Sequence, residues 1–484
     1  MYILCVYFIH LFPKDTRPLM RAIISVLFAC TFSITLTTTV VASPTERTSP
    51  STAQPRFSPE EKARLAAEVK AEFLHCWNAY KKYAWGHDGL RPISKTPYDW
   101  YSEPLLMTPL DALDTMILMG LKEEADSTKE YIIRNLSFDK DIYVKNFEIT
   151  IRLLGGLLSN YQLTGDERLL HLARDLGNRL LPAFNSPTGF PYVDVNLKTG
   201  AVRGTKTNPG EIGTLLVEFG TLSMLTKDPR YYNYAKNALL NVYQRRSEIG
   251  LVGEQIDCET GEWTKTDSHV SACIDSYYEY LVKCALLFTD EDCSIMWRDA
   301  YVALQNHIAD SVESGLWYGH ADMKTGQRGK TWFGALDAFF PAVLVLAGDM
   351  KNAAALQESC LKMWQRHGIE PEQFDYVKME AASPRFFLNP EIVESAYYLY
   401  QKTKDPRYLE MGKIFLDSLK AYCRTDAGYA ELKSVITKEK SDRMESYFLA
   451  ETMKYFYLLF APDETLDFSK TIFNTEAHPI RRTW

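Results

Sequence analysis

The feature of this sequence that most constrains its fold is an internal repeat of an acidic residue, an apolar segment and an Asp-containing turn. In each repeat the turn follows the acidic residue by 12 to 18 positions. The six pairs are Glu148 with Asp166, Glu211 with Asp228, Asp275 with Asp290, Asp337 with Asp349, Glu391 with Asp405, and Glu445 with Asp463. Successive turns lie 62, 62, 59, 56 and 58 residues apart. A regular repeat predicts units that stack into one continuous body, with all the acidic ends pointing the same way.

Each repeat predicts two helices in different surroundings. The first half is apolar on nearly all sides, as in residues 211–225 and 391–400, which is typical of a buried helix. The second half is amphipathic, as in residues 229–246, and predicts an outer helix. An outer segment over 59–85 and an inner segment over 109–120 precede the repeats. Seven inner and seven outer helices predict an all-α fold that closes into an α/α barrel.

Several connections from an outer helix to the next inner helix contain a Thr-Gly pair, which is typical of a short β-hairpin. Three such pairs are Thr199-Gly200, Thr260-Gly261 and Thr325-Gly326. The hairpins would share one mouth of the barrel with the N-termini of the inner helices and with the carboxylates. Because loops on a rigid scaffold commonly carry function, we expect the functional site at this mouth.

The acidic residues also have a structural explanation. The helix macrodipole favours an acidic side chain in the first turn of a helix. Six carboxylates on otherwise apolar helices fit that explanation less well, because burying a carboxylate costs free energy unless it is paired or used. Arg152 follows Glu148 by one helical turn and is the obvious partner for pairing.

The N-terminus resembles a targeting segment. Arg21 precedes an apolar run over residues 22–41, and residues 40–42 resemble a cleavage site. We predict a signal peptide over residues 1–42, with Met20 as an alternative start, in preference to a membrane anchor. Residues 43–56 are rich in Ser, Thr and Pro and predict a linker. Residues 57–484 then form a single domain.

The composition bears on partners and on disulfides. The net charge is −8 and the sequence pI is about 5.7, with no basic stripe, so we expect no nucleic-acid partner. Seven cysteines follow the leader, so at least one is free in an exported protein. Cys284 and Cys293 flank a predicted turn and could form a disulfide.

Six stretches of the chain together carry a family resemblance. They are LDALDT at 110–115, FEITIRLLGG at 147–156, DSYYEY at 275–280, PEIVES at 390–395, MESYFLAETMKY at 444–455 and TEAHP at 475–479. In this order they resemble the class I α-mannosidases, the inverting α-1,2-mannosidases of glycoside hydrolase family 47. The resemblance runs from about residue 57 to residue 479. It implies an (α/α)7 barrel, which agrees with the helix count above.

The resemblance implies catalytic roles for three carboxylates. Glu148 matches the residue usually taken as the general acid, acting through a water, and Asp275 matches a second carboxylate also proposed as the acid. Glu391 matches the general base that activates the attacking water. An inverting glycosidase needs its two carboxyl groups about 6.5–9.5 Å apart, which leaves room for that water.

The resemblance also implies a calcium ion. Thr475 matches the family's calcium ligand, and waters and sugar hydroxyls would complete the six to eight oxygens that Ca²⁺ takes. The residues expected to hold those waters and the sugar are Glu211, Glu394, Glu445 and Glu476, together with Arg152. The tail over residues 473–479 would enter the barrel as a plug. A helix cap is the structural alternative for Thr475.

The chain departs from the family's pattern at three positions. Cys273 stands where endoplasmic-reticulum members have Arg, and Asn389 stands where many members have Arg. We expect both positions to lie near the neighbouring sugar units or the glycan branch. The chemistry at the terminal mannose is retained, while the branch preference is left open. The usual disulfide partner of Cys360 is missing, so we expect this cysteine to be unpaired. These departures and the residues at 338–341 are similar to bacterial and degradation-enhancing members, and we expect a bacterial member.

The sequence therefore predicts a calcium-dependent exo-α-1,2-mannosidase. Its expected substrates are α-1,2-linked mannose oligosaccharides or high-mannose N-glycans, hydrolysed with inversion. The alternative is a mannose-glycan-binding protein with little or no turnover, similar to degradation-enhancing relatives. We expect a monomer that is periplasmic or secreted, or lies in the endoplasmic reticulum if the source is eukaryotic. A membrane contact is expected only through an uncleaved leader.

Overall fold

The computed structural model describes residues 57–484, so the predicted signal peptide and linker lie outside the described residues. Within them the helices alternate between an outer and an inner ring. The outer helices are Pro59–Tyr83, Lys122–Asn135, Glu167–Leu180, Pro229–Gln244, Glu291–His307, Met350–His367 and Arg407–Tyr422. The inner segments are Met107–Leu118, Asn146–Ile149 with Thr150–Leu154 and Gly155–Thr164, Pro209–Gly213 with Leu216–Thr226, Asp275–Phe288, Leu336–Phe339 with Phe340–Leu346, Glu391–Thr403, and Phe448–Thr452 with Met453–Phe460.

The ring closes between the two ends of the described chain. The last inner helix, Met453–Phe460, packs against the first outer helix, Pro59–Tyr83. The first inner helix, Met107–Leu118, contacts both Phe448–Thr452 and Gly155–Thr164. The predicted (α/α)7 barrel of seven inner and seven outer helices is therefore confirmed for residues 57–484.

Sequence and burial agree along the two rings. The inner helix Leu216–Thr226 is buried along most of its length, including Glu218. The outer helix Glu167–Leu180 buries one apolar stripe and exposes the rest. The Asp turns between the rings act as predicted, because each Asp side chain accepts a hydrogen bond from the first turn of the outer helix that follows. Those Asp residues are Asp166, Asp228, Asp290, Asp349 and Asp405.

The β-structure consists of short antiparallel strands. Two three-stranded sheets join Tyr143–Lys145, Asp194–Asn196 and Val202–Arg203, and Lys206–Thr207, Gln255–Asp257 and Trp263–Lys265. A third joins Trp332–Phe333, Gln373–Asp375 and Glu380–Ser383. The two-stranded pairs are Gly89–Arg91 with Thr96–Tyr98, Asp267–Ser268 with Ala321–Asp322, Ala309–Val312 with Gly315–Tyr318, Arg424–Thr425 with Gly428–Tyr429, and Thr471–Phe473 with Pro479–Arg481. The Thr-Gly pairs at 199–200 and 260–261 lie in hairpin turns as predicted.

The C-terminal tail enters the barrel as a plug. The turn between strands Thr471–Phe473 and Pro479–Arg481 places Asn474 and His478 at full burial. His478 Nδ1 lies 2.7 Å from Asp114 Oδ2, and Lys454 Nζ lies 2.7 Å from Asp114 Oδ1. Lys454 Nζ also donates to the carbonyl oxygen of Ala477 at 2.7 Å. Charges on two inner helices therefore hold the tail in place.

Three local expectations can be checked. Glu445 does not open an inner helix, because the last inner segment begins as a π turn at Phe448. The cysteines of residues 57–484 are all free, so the disulfide considered for Cys284 and Cys293 is not formed and Cys360 is unpaired as expected. None of the helices in this part of the chain is both long and apolar enough to cross a bilayer.

Candidate active site

A cleft opens at the mouth where the inner helices begin. Its volume is about 440 Å³, which is within the range of sites that hold small molecules. Seven of the nine residues predicted for the site line it: Glu148, Arg152, Glu211, Asp275, Glu391, Thr475 and Glu476. Glu394 lines an adjoining smaller pocket. The repeat therefore brings acidic residues from separate helices to one place.

Arg152 joins two of these carboxylates. Glu148 and Arg152 lie four residues apart on one helical segment, and Arg152 Nε donates to Glu148 Oε2 at 3.1 Å. Arg152 Nη1 also donates to Glu476 on the plug. The guanidinium lies over the rings of Trp100 and Tyr447, at 5.1 and 5.6 Å from their centroids. The arginine predicted as a partner of Glu148 is thus buried and fixed from several sides.

Asp275 is the first residue of the inner helix Asp275–Phe288. Its Oδ1 atom accepts a hydrogen bond from the backbone nitrogen of Ser276 at 2.8 Å. Burial raises the pKa of Asp275 to about 7, against the hydrogen bond from Ser276 and with the charge of Glu279 adding to the rise. Asp275 can therefore hold a proton near neutral pH, as a general acid must.

Glu391 opens the inner helix Glu391–Thr403. Asn389 Nδ2 donates to Glu391 Oε2 at 3.2 Å, so one departure from the family pattern contacts a predicted catalytic carboxylate directly. Burial raises the pKa of Glu391 well above its ordinary value, opposed by the bond from Asn389 and increased by the charges of Glu394 and Asp275. The carboxylate lies among other carboxylates rather than beside a cation.

Thr475 lies where the plug meets a group of acidic side chains. Its Oγ1 atom donates to Glu279 Oε2 at 2.8 Å, and its backbone nitrogen donates to Tyr280 Oη at 3.2 Å. The carboxylates that share the adjoining pocket with Thr475 are Asp275, Glu279, Glu391, Glu394 and Glu451. The atoms that could bind a metal here are all oxygens. Their excess negative charge fits a hard cation such as Ca²⁺.

Glu211 occupies the rim of the cleft. Its carboxylate lies 2.7 Å from Lys145 Nζ and accepts from Thr207 Oγ1 at 3.1 Å. Cys273 also lines the cleft beside it, with Asn389 on another wall. Both departures from the family pattern therefore line the cleft.

Glu445 is the predicted site residue that the structure places elsewhere. It pairs with Arg443 and accepts from Tyr98 Oη at 2.8 Å, and it lines neither the cleft nor the adjoining pocket. Glu451, six residues later, lines both. Burial, followed by the charge of Glu476, raises the pKa of Glu451 well above its ordinary value. The structure therefore places Glu445 outside the cleft that the other predicted residues line.

Glu451 and Glu279 belong to the acidic group but were not predicted as site residues. The sequence contains a signal for each of them. Glu451 lies with Lys454 in the otherwise largely apolar run over residues 448–460, and a charged residue in such a run indicates a special role. Glu279 follows Asp275 by four residues and so shares its helix face. It pairs with Lys283 one turn further on.

Known proteins are similar to this chain over most of its length. The model of glycosyl hydrolase family 47 matches residues 72–482. Alpha-mannosidase I MNS5 of Arabidopsis thaliana is 36% identical over 450 residues, which covers 87% of this chain and 78% of the relative. ER degradation-enhancing alpha-mannosidase-like protein 2 of Mus musculus is 37% identical over 461 residues, covering 86% and 78%.

The fold is likewise similar to a solved structure, the alpha-1,2-mannosidase from Trichoderma reesei. The TM-score is 0.80 at 28% sequence identity, over 87% of this chain and 99% of that one. The two sequence relatives come from a plant and a mammal, so they give no support to the expectation of a bacterial member. On the family match and the sequence identities, this chain belongs to glycosyl hydrolase family 47.

Proposed function

We propose that this protein is an exo-acting α-1,2-mannosidase that hydrolyses terminal α-1,2-linked mannose with inversion of configuration. Its substrates would be mannose oligosaccharides or high-mannose N-glycans. The observation that carries the proposal is that Glu148, Asp275 and Glu391 meet in one cleft of about 440 Å³. The Trichoderma reesei protein of the same fold is an alpha-1,2-mannosidase, which supports the choice of linkage.

The general acid is best assigned to Asp275. Its pKa of about 7 lets it keep a proton at neutral pH and give it to the glycosidic oxygen as the bond breaks. Glu148 is the second candidate and would act through a water, held in place by Arg152. Separate Asp275→Asn and Glu148→Gln variants distinguish the two, because only loss of the acid abolishes the dependence of turnover on a group with a pKa near 7.

The general base is assigned to Glu391. It would take a proton from a water that attacks the anomeric carbon on the face opposite to the acid. A base must be ionised, and burial disfavours its charged form. The hydrogen bond from Asn389 works in the other direction and favours the carboxylate. The amide at 389 thus favours the ionised base by a hydrogen bond alone, whereas an Arg there would favour it by a positive charge as well.

The smaller pocket beside the cleft, which Thr475 and the five carboxylates line and which we call the acidic pocket, would hold a calcium ion. Thr475 would supply its carbonyl and hydroxyl oxygens, and Glu279, Glu394 and Glu451 would hold bound waters. A bound Ca²⁺ would supply the positive charge that keeps these carboxylates ionised and would take hydroxyl oxygens of the sugar. Arg152, Glu211 and Glu476 would then orient the rest of the terminal mannose and its neighbour.

A second candidate function follows from the mouse relative, whose name describes an ER degradation-enhancing alpha-mannosidase-like protein. On this hypothesis the same cleft binds mannose glycans of glycoproteins with slow or no turnover. Either function places the protein in an exported setting such as the lumen of the endoplasmic reticulum or the outside of the cell. We expect the protein to be a monomer.

The proposal is tested by an NMR time course of α-1,2-mannobiose hydrolysis, with Glu391→Gln as the matched control. We expect β-mannose as the first product. Early α-mannose would contradict inversion, because retention requires a nucleophile only about 5–5.5 Å from the acid. Binding of the disaccharide without any turnover would support the glycan-binding function instead.

The calcium role is tested by the same time course after exhaustive chelation. We expect chelation to abolish turnover and to lower the melting temperature, because a ligand that binds only the folded state stabilises it. Ca²⁺ should restore both, and Mg²⁺ should do so poorly because it requires a tighter octahedral shell. Full turnover without metal would leave Thr475 with a structural role.

A further inference from the structure

Two histidines and an aspartate meet on the short two-stranded sheet beside the cleft. The strands Asp267–Ser268 and Ala321–Asp322 pair antiparallel, with Ser268 opposite Ala321. The same register places His269 opposite His320, and side-chain alternation along the strand puts Asp267 on the same face as His269. The backbone pairing, rather than chance side-chain placement, therefore brings the three groups together.

The three side chains lie close enough together to bind one cation between them. His320 Nδ1 lies 2.9 Å from Asp267 Oδ2, and the two imidazole rings are 4.4 Å apart between centroids. One ligand atom from each of the three residues lies within 4.8 Å of the others. His269 and His320 are 4% and 8% exposed, so the cluster is shielded from solvent on most sides.

The chemistry of the cluster differs from that of the acidic pocket. His269 Nδ1 accepts a hydrogen bond from the backbone nitrogen of Ser271 at 3.2 Å, so Nδ1 carries the lone pair of a neutral ring, and a cation bound at Nδ1 would replace this hydrogen bond. Two imidazoles with one carboxylate are a zinc ligand set, whereas oxygens alone suit calcium.

We propose that Asp267, His269 and His320 bind a zinc-type divalent cation, separately from the calcium proposed at Thr475. The bound ion would join the segment 269–274, which leads directly into the helix at Asp275, to the strand Ala321–Asp322. It would thereby fix the approach to a catalytic carboxylate. Lys330 is the cation whose charge acts on both Asp267 and His269, and it opposes binding of the ion.

The test is a titration of metal-stripped protein with Zn²⁺, in excess Ca²⁺ so that the acidic pocket is saturated. We expect one tight Zn²⁺ per chain by calorimetry and by elemental analysis after dialysis. His269→Gln and His320→Gln should each weaken binding by at least about 10- to 100-fold, the loss that even an outer partner of a metal site causes. Lys330→Met should tighten binding, because it removes a like charge.

The matched control is His87→Gln. His87 Nδ1 lies 2.9 Å from Asp99 Oδ2, so it forms the same imidazole–carboxylate contact without a second histidine. Zinc affinity should be unchanged in this variant and in Thr475→Ala. If His269→Gln does not fold, as judged by circular dichroism, His320→Gln and Asp267→Asn decide.

Co²⁺ provides a second readout, because its visible absorption reports nitrogen ligands and should disappear in His320→Gln. Three outcomes overturn the proposal. They are the absence of tight zinc binding in the wild type, equal zinc affinity in the wild type and both histidine variants, and an equal loss in His87→Gln.

Discussion

The buried ion pair that holds the plug gives the sharpest prediction on stability. Lys454 and Asp114 are both fully buried, and Lys454 Nζ contacts Asp114 Oδ1 and the carbonyl oxygen of Ala477, each at 2.7 Å. Lys454→Met keeps an unbranched side chain that is shorter by one heavy atom, and it removes both contacts. Because Thr475 lies on the same plug, loosening the plug should also weaken calcium binding.

The expected loss of stability depends on the contacts that Asp114 keeps after Lys454 is replaced. Removing one partner of a buried pair costs about 3–5 kcal/mol, because the other charge remains buried. Asp114 still accepts from Ser159 Oγ at 2.9 Å and keeps its contact with His478, so we expect the lower end, about 3 kcal/mol. With an unfolding entropy of about 2.1 cal/mol/K per residue, a chain of this size should lose about 3 °C in Tm.

The measurement is thermal unfolding followed by circular dichroism, together with a calcium titration. The control is Lys122→Met, since Lys122 pairs with Asp126 at 2.5 Å on the surface and such exposed pairs often contribute nothing measurable. Asp114→Asn combined with Lys454→Met should destabilise by less than the sum of the two single changes. An unchanged Tm and calcium affinity in Lys454→Met would refute this account of the plug.

Three further predictions concern single residues. Glu391→Gln should lower turnover by at least about 10²-fold with binding retained, because the base is lost, and near-normal turnover would move that role to another carboxylate. Burial lowers the pKa of His478, but Asp114 outweighs it and raises that pKa to about 9, so its stabilisation is complete below its unfolded pKa of about 6.5 and is lost as pH rises through 9. The Tm difference between wild type and His478→Gln should therefore shrink over this range, and a constant difference would contradict the reasoning. Glu451→Gln should weaken calcium binding and turnover while Glu445→Gln should not, and the reverse result would contradict the geometry of the cleft.

The fold was predictable because its determinants are local and repeated. Five of the Asp turns cap the helix after them, as Asp228 does for Pro229–Gln244, and the inner helices are largely buried, as Leu216–Thr226 is. Burial and capping act within one repeat, so the sequence displays them directly. The closure of the ring follows from this repeated pattern, whereas the plug over residues 473–479 was expected only from the family resemblance.

The site was predictable where a helix begins at its acidic residue. Asp275 and Glu391 both stand at the first position of regular helices, and both line the cleft. Glu445 differs from these two residues, because no helix begins there and its carboxylate pairs with Arg443 outside the cleft. Contacts between distant residues, such as Thr475 with Glu279, cannot be obtained from periodicity.

The irregular turns explain why the last repeat departs from the pattern. π turns at Thr150–Leu154 and Phe448–Thr452 each insert a residue into an inner segment, and such turns are frequent at functional sites. The first leaves the carbonyl oxygen of Ile151 to accept from Asn474 Nδ2 at 2.8 Å, so the distortion is where the plug attaches. The second changes the face that each residue presents, and Glu451 lines the cleft from within it. The same distortions that make the last acidic position unpredictable therefore connect the plug, with Thr475, to the carboxylates.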